Sequence, residues 1–214
     1  MKDLFITATN TDIGKTYTTL LLIEALSEKG LKPGVFKPVE TGVTTTPPDA
    51  SLLLKKVQTV NKKFRNFTVD DVCPIQLALP AAPYVAAKEE TLDLEKIQKA
   101  YVRLKEACDI LLIEGAGGLL VPLDKKFFIS DLIGFFDAHT LLVTHDQLGC
   151  INDTLLNISY MKDHNIDFNW CVNLRNKEHF NQVTRPFYRD YFPRFYTLQE
   201  ELDALCTELL NKLA

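Results

Sequence analysis

Two lysines, at positions 15 and 37, a threonine at 16 and carboxylates at 49 and 114 are the residues whose types and surroundings could do chemistry. Ammonium groups neutralise negative charge, and hydroxyl and carboxylate oxygens are the ligands that magnesium accepts. Together they suit the handling of a phosphate. The densest signal is ATNTDIGKT at 8–16, set between the apolar run LFIT and YTTLLLIEAL and ending in Gly14-Lys15-Thr16. A strand, a glycine turn and a helix starting at Lys15 leave the first helical N–H groups without acceptors, with the helix dipole favouring an anion. Lys15 then reaches the β- and γ-phosphates of a nucleotide, and the Thr16 hydroxyl meets its magnesium. A chance Gly-Lys-Thr at a surface turn is the alternative; the strand before it and the helix after it argue against that.

Glu114 closes the apolar run DILLIE, at the end of a strand where open α/β sheets place their ligands. It reads as a magnesium ligand rather than a turn residue. The GAGG that follows, Gly115 to Gly118, lets backbone approach a bound anion. Lys37 ends another short strand beside Pro38, so its ammonium is expected in the same crevice and neither lysine is expected in the core. Asp49 reads as a helix cap, a magnesium ligand, or both.

These groups converge if strands and helices alternate, and the hydrophobic pattern says that they do. LFITAT (4–9) predicts the first strand, and residues 15–28 a helix ended by Gly30. PGVFKPV (33–39) predicts a second strand interrupted by Pro38, and 49–58 a helix capped by Asp49. Over 93–107, Leu94, Ile97, Tyr101 and Leu104 share one helical face, with Asp93 as N-cap. DILLIEGAGG (109–118), TLLVTHD (140–146) and FNWCVN (168–173) read as strands, with a helix from about Asn152 to Lys162 and an amphipathic helix in the tail TLQEELDALCTELLNKL. The pattern predicts an α/β fold, a mostly parallel sheet with helices on both faces, in one domain spanning 1–214.

Composition narrows the class. The chain has 214 residues, 46% of them hydrophobic, and a net charge of -4, which gives no electrostatic footprint for nucleic acid. The lysines of LKKVQTVNKKFR are offset by the acids that follow and read as a solvated face. Five cysteines (73, 108, 150, 171 and 206) are scattered without a Cys-x-x-Cys pair, so neither a zinc site nor a disulfide framework is expected. The start MKDLFITATN lacks the long apolar stretch of a signal peptide, and no run approaches the roughly 18 apolar residues of a membrane span. A cytoplasmic protein with no nucleic-acid or membrane partner is the expectation.

TATNTDIGKT, FKPVETG (36–42), LLIEGAGGLLVPL (111–123) and LGCIN (148–152) together resemble the successive signatures of the dethiobiotin synthetases, in that family's order and spacing, from residue 4 to about 173. The resemblance implies a P-loop NTPase-like fold with a deviant Walker A loop. It implies a reaction in which ATP, carbon dioxide and 7,8-diaminononanoate give dethiobiotin, ADP and phosphate with magnesium. By resemblance, Lys15 and Lys37 stabilise the transferring phosphoryl group, and Thr11 and Thr41 contact the carbamate or the phosphate. Thr16, Asp49 and Glu114 hold magnesium. Asp12, Ile13, Gly14, Lys15, Thr16 and Tyr17, then Glu114, Gly115, Ala116 and Gly117, contact the nucleotide, and Asn173 its base. Gly117 and Gly118 face the substrate. Its carboxylate tail is received by Gly149, Cys150, Ile151 and Asn152 of a second subunit, which implies a homodimer. Cys150 serves there through its backbone, not as a nucleophile.

Three departures stand out. Ala8 replaces the first loop glycine, which predicts a tighter turn. Gln147 stands where the family commonly has a lysine before LGCIN. The tail RFYTLQEELDAL lacks the GEIP-like segment that encloses adenine, so weak recognition of the base is expected. A nucleotide-switched, partner-binding ATPase of the deviant Walker class is the alternative from another class. Its signature lysine early in the loop falls here on Asn10.

Overall fold

The structure is a computed structural model that describes residues 1–88 and 91–213. Along the chain run β1 (Leu4–Ala8), α1 (Lys15–Glu28), β2 (Pro33–Phe36), β3 (Val39–Thr41), α2 (Pro48–Val60), α3 (Val69–Val72), β4 (Ile75–Leu77), α4 (Pro83–Ala86) and α5 (Leu94–Lys105). Then come β5 (Ile110–Gly118), β6 (Pro122–Asp124), β7 (Phe127–Phe128), α6 (Asp131–Phe135), β8 (His139–His145), α7 (Cys150–Asp163), β9 (Phe168–Asn173), α8 (Lys177–Val183), α9 (Arg185–Tyr191), β10 (Tyr196–Thr197) and α10 (Leu198–Leu213).

Six strands form one parallel sheet in the order β10-β9-β8-β1-β5-β2. The apolar runs of β1 and of Ile110–Ile113 in β5 are wholly buried, as expected of parallel strands covered on both faces. The connection through α1 moves from β1 toward β2, and the one through α7 moves from β8 toward β9, the opposite way. Right-handed crossovers then put α1 and α7 on opposite faces and open a crevice at the carboxyl ends beside β1. The loop after β1 lies in that crevice.

The structure corrects several boundaries. The stretch read as a second strand over 33–39 divides at Lys37-Pro38: β2 stays in the main sheet, while β3 pairs with β4 in a separate two-stranded sheet. Proline has no N–H for the ladder, and the Lys37 N–H donates instead to the Val72 carbonyl at 2.9 Å. Asp49 is not the cap of α2; Pro47 holds that position and Asp49 lies in the first turn. Ala8 lies within β1, opposite Gly118, and not in the turn. The helix expected from Asn152 begins at Cys150. Asp93 does cap α5, accepting from the Lys96 N–H at 2.8 Å. Among the described residues no helix is long and apolar enough to cross a membrane.

Candidate active site

The loop between β1 and α1 is held from outside. Gly14 caps α1 at φ 107, a left-handed conformation that L residues rarely adopt. A Cβ there would also stand 2.2 Å from Asn173 Nδ2. Asn173, at the end of β9, donates from Nδ2 to the Ile13 carbonyl at 2.8 Å, and the Arg175 guanidinium donates to the Asp12 carbonyl. Asp12 itself takes φ 58, which aspartate tolerates better than most residues. The first-turn N–H groups of α1 have no side-chain cap, so they remain available to an anion. Lys15 Nζ donates to the Asn10 carbonyl at 3.3 Å. Burial, and then the neighbouring charge of Lys37, lower the Lys15 ammonium from 10.5 to about 8.

Below the loop sits a compact charge cluster. Glu114, fully buried in β5, accepts from Thr16 Oγ1 at 2.8 Å and from Lys37 Nζ at 2.6 Å on one oxygen, and from Thr19 Oγ1 at 2.8 Å on the other. Lys37 Nζ also donates to Asp49 Oδ2 at 2.9 Å. Burial works against charge on Lys37, but Glu114 and then Asp49 outweigh it and hold its pKa above the usual range. Burial likewise opposes ionisation of Asp49, and the Lys37 charge overcomes it, lowering the Asp49 carboxyl. One hydroxyl and two carboxylates are the hard oxygen donors a magnesium ion takes, and Lys37 places a positive charge between those carboxylates. The donor types suit that ion, while among the described residues no three His, Cys, Asp or Glu side chains are grouped to hold one.

A family model described as an AAA domain matches residues 2–179. An ATP-dependent dethiobiotin synthetase of Sulfurovum sp. (strain NBC37-1) is 46% identical over 98% of this chain and 100% of its own length. One of Wolinella succinogenes is 37% identical over 100% of both. The chain belongs to the ATP-dependent dethiobiotin synthetases. Among solved structures, the MinD cell division protein of Aquifex aeolicus aligns with a TM-score of 0.54 at 15% identity, over 98% of this chain and 87% of that one, a likeness of fold.

In this dethiobiotin synthetase, Thr11, Asp12, Gly14, Lys15, Thr16, Lys37, Thr41, Asp49, Ala116 and Gly117 all line one cleft of about 770 Å³. Glu114 lies beneath it. Gly115 and Gly118 sit inside β5, where added Cβ atoms would meet Ile129 and the Ala8 carbonyl. Ile13 and Asn173 are buried behind the loop, while Tyr17 is half exposed. Gly149, Cys150, Ile151 and Asn152 do not line the cleft of their own chain; they form the turn into α7 and its first residues. The Cys150 thiol points inward, 3.6 Å from Thr184 Oγ1. Both lysines are buried, against the expectation from sequence: Lys15 is 7% exposed and Lys37 3%.

Sequence reasoning did not find Glu40, Arg175, the Pro80–Pro83 wall of the cleft, or Gln199. Gln199 follows β10, donates to Asn173 Oδ1 at 2.6 Å and accepts from the Leu174 N–H at 2.8 Å. An acid inside FKPVETG and a proline pair in LPAAP were the available signals for two of these. Gln199 had none: it lies in the first turn of α10, and its partners Asn173 and Leu174 are 26 and 25 positions away.

Proposed function

We propose that the cleft turns ATP, carbon dioxide and 7,8-diaminononanoate into dethiobiotin, ADP and phosphate. One amine of the substrate takes up carbon dioxide as a carbamate. A carbamate oxygen attacks the γ-phosphorus, the bond to the β-phosphate oxygen breaks, and ADP leaves. The neighbouring amine then attacks the carbonyl of the mixed anhydride, expelling phosphate and closing the cyclic urea. Both amines belong to one molecule, so ring closure is intramolecular and strongly favoured by proximity.

Phosphoryl transfer of this kind asks the protein for positioning and charge, not covalent chemistry. The free N–H groups at the start of α1 and the Lys15 ammonium would grip the phosphates, and Lys37 would offset charge developing on the transferred group. Thr11 and Thr41 offer hydroxyls to the carbamate from the cleft wall. Magnesium, held by Thr16, Asp49 and Glu114, would neutralise phosphate charge when it arrives with the nucleotide. The observation that carries the reading is the convergence of Lys15, Lys37, Asp49 and Thr16 on one cleft, with Glu114 directly beneath.

We take residues 1–214 as one synthetase domain working as a homodimer in the cytoplasm. Five free cysteines, four of them buried, suit a reducing compartment. The separation of Gly149–Asn152 from their own cleft, beside a Leu148 that is 94% exposed, fits a site completed by a partner subunit. The partner-binding ATPase reading is weaker. Asn10 stands at the position of its signature lysine and spends its side chain on the Thr11 N–H and its carbonyl on Lys15. Incubation with ATP, the diamine and ¹³C-bicarbonate should give dethiobiotin with the label in the ureido carbon by mass spectrometry. ATP hydrolysis without labelled product would overturn the assignment.

A further inference from the structure

Glu40 sits at the centre of β3, four per cent exposed, in the wall of the cleft. Both of its oxygens are occupied by backbone: Oε1 accepts from the Asp49 N–H and Oε2 from the Ala50 N–H, each at 2.9 Å. Those N–H groups open α2, which has Pro47 at its cap, Pro48 in its first turn and no side-chain cap of its own. A carboxylate is favoured at a helix N-terminus, and one that accepts two adjacent N–H groups fixes position and direction together. Here the cap comes from another element, across the turn that contains the exposed Thr44, Thr45 and Thr46. The residue clamped by it is Asp49, whose carboxylate lies 2.9 Å from Lys37.

We propose that Glu40 is a positioning residue for the divalent cation, because it clamps the backbone that presents Asp49. The proposal rests on the reading of Asp49 as a magnesium ligand. β3 is itself anchored by the pairing of Glu40 with Gln76 in β4, so the clamp transmits a fixed point to the head of α2. Partners that orient a metal ligand typically govern metal affinity by about 10- to 100-fold without touching the ion. A purely structural cap would lower thermal stability and leave ion affinity alone, and this separates the two roles.

The test uses the 214-residue protein with saturating ADP and measures Mn²⁺ affinity by electron paramagnetic resonance, for wild type, Glu40→Ala, Glu40→Gln and Asp49→Asn. Glu40→Ala should weaken Mn²⁺ binding roughly tenfold or more, while ADP affinity measured in EDTA stays within about twofold. Glu40→Gln, whose carbonyl oxygen keeps one of the two N–H bonds, should fall between, which preserves the test should the alanine variant fail to fold. The magnesium concentration for half-maximal turnover should rise in the same order, with most of kcat recovered at high magnesium. A Glu40→Ala or Glu40→Gln protein with wild-type Mn²⁺ affinity overturns the proposal, whatever its melting temperature. If Asp49→Asn also leaves Mn²⁺ affinity unchanged, the ligand assignment of Asp49 fails with it; if Asp49→Asn alone weakens it, the failure belongs to Glu40.

Discussion

Replacing Lys37 by alanine should damage stability and turnover together, for different reasons. Its ammonium is the partner of Glu114, which is wholly buried, so the variant leaves an uncompensated carboxylate in the sheet. Breaking a buried pair in this way costs about 3–5 kcal/mol. Asp49, the other partner, has a side chain 41% exposed and is screened by solvent, so its share is small. For a chain of this size the loss corresponds to a fall in Tm of roughly 6–20 °C. Adding Glu114→Gln to Lys37→Ala removes the stranded charge and keeps a group able to meet Thr16 and Thr19. The double variant should therefore regain most of the lost stability. Its turnover should stay orders of magnitude below wild type, because the charge stabilisation at the phosphoryl group is still missing. Thermal unfolding by circular dichroism in nucleotide-free buffer, beside kcat for dethiobiotin, measures both. A Lys37→Ala protein that melts within about 2 °C of wild type would show that the ammonium is not paired in the interior as described, and near-normal turnover would remove it from the chemistry.

Burial lowers the Lys15 ammonium to about 8 in the nucleotide-free enzyme, and in the proposed reading a bound triphosphate holds it charged. The complex therefore binds more protons than the free protein above that pH: ATP affinity should fall by up to about tenfold per unit as pH rises through it, with uptake of close to one proton. Calorimetry in buffers of different ionisation enthalpy reads this directly, and proton-neutral binding at pH 9 would contradict it. A bulky residue at Gly149, where φ is 95, should weaken binding of the diamine while sparing ATP, and sedimentation should show a dimer; a fully active monomer would sink the shared site. Asn173 already donates to Ile13 and accepts from Gln199, so little of its edge is left for a base. GTP or CTP should then support turnover within about tenfold of ATP, about 1.4 kcal/mol, and a thousandfold preference for ATP would mean that Gln199 and its neighbours rebuild an adenine pocket.

Elements with a strong local signature were legible in the sequence. The helix at 15–28 and the strand at 168–173 fall where the apolar pattern put them, since their packing faces are encoded in consecutive residues. The convergence of Lys15, Thr16 and Lys37 on one cleft was legible too, because strand ends in a parallel sheet all open on the same edge, while Asp49, in the first turn of α2, came to the site only through the family resemblance. What escaped depends on residues distant in the chain. The burial of Lys37 follows from Glu114, 77 positions away, and no local rule predicts a buried lysine. Glu40 caps α2 from nine positions before Asp49, outside the span of any helix-start signal. Between Asn173 and the tail helix, α8, α9 and β10 are pieces two to seven residues long that only tertiary pairing defines.

The central claim is that phosphoryl transfer in this cleft serves the closure of a cyclic urea. The most direct measurement is phosphate release from ATP and magnesium, followed continuously with and without 7,8-diaminononanoate and bicarbonate. Release should require both, and should match dethiobiotin formed one for one. Equal release when either is omitted would contradict the account and return the protein to the class of ATPases that hydrolyse nucleotide for its own sake.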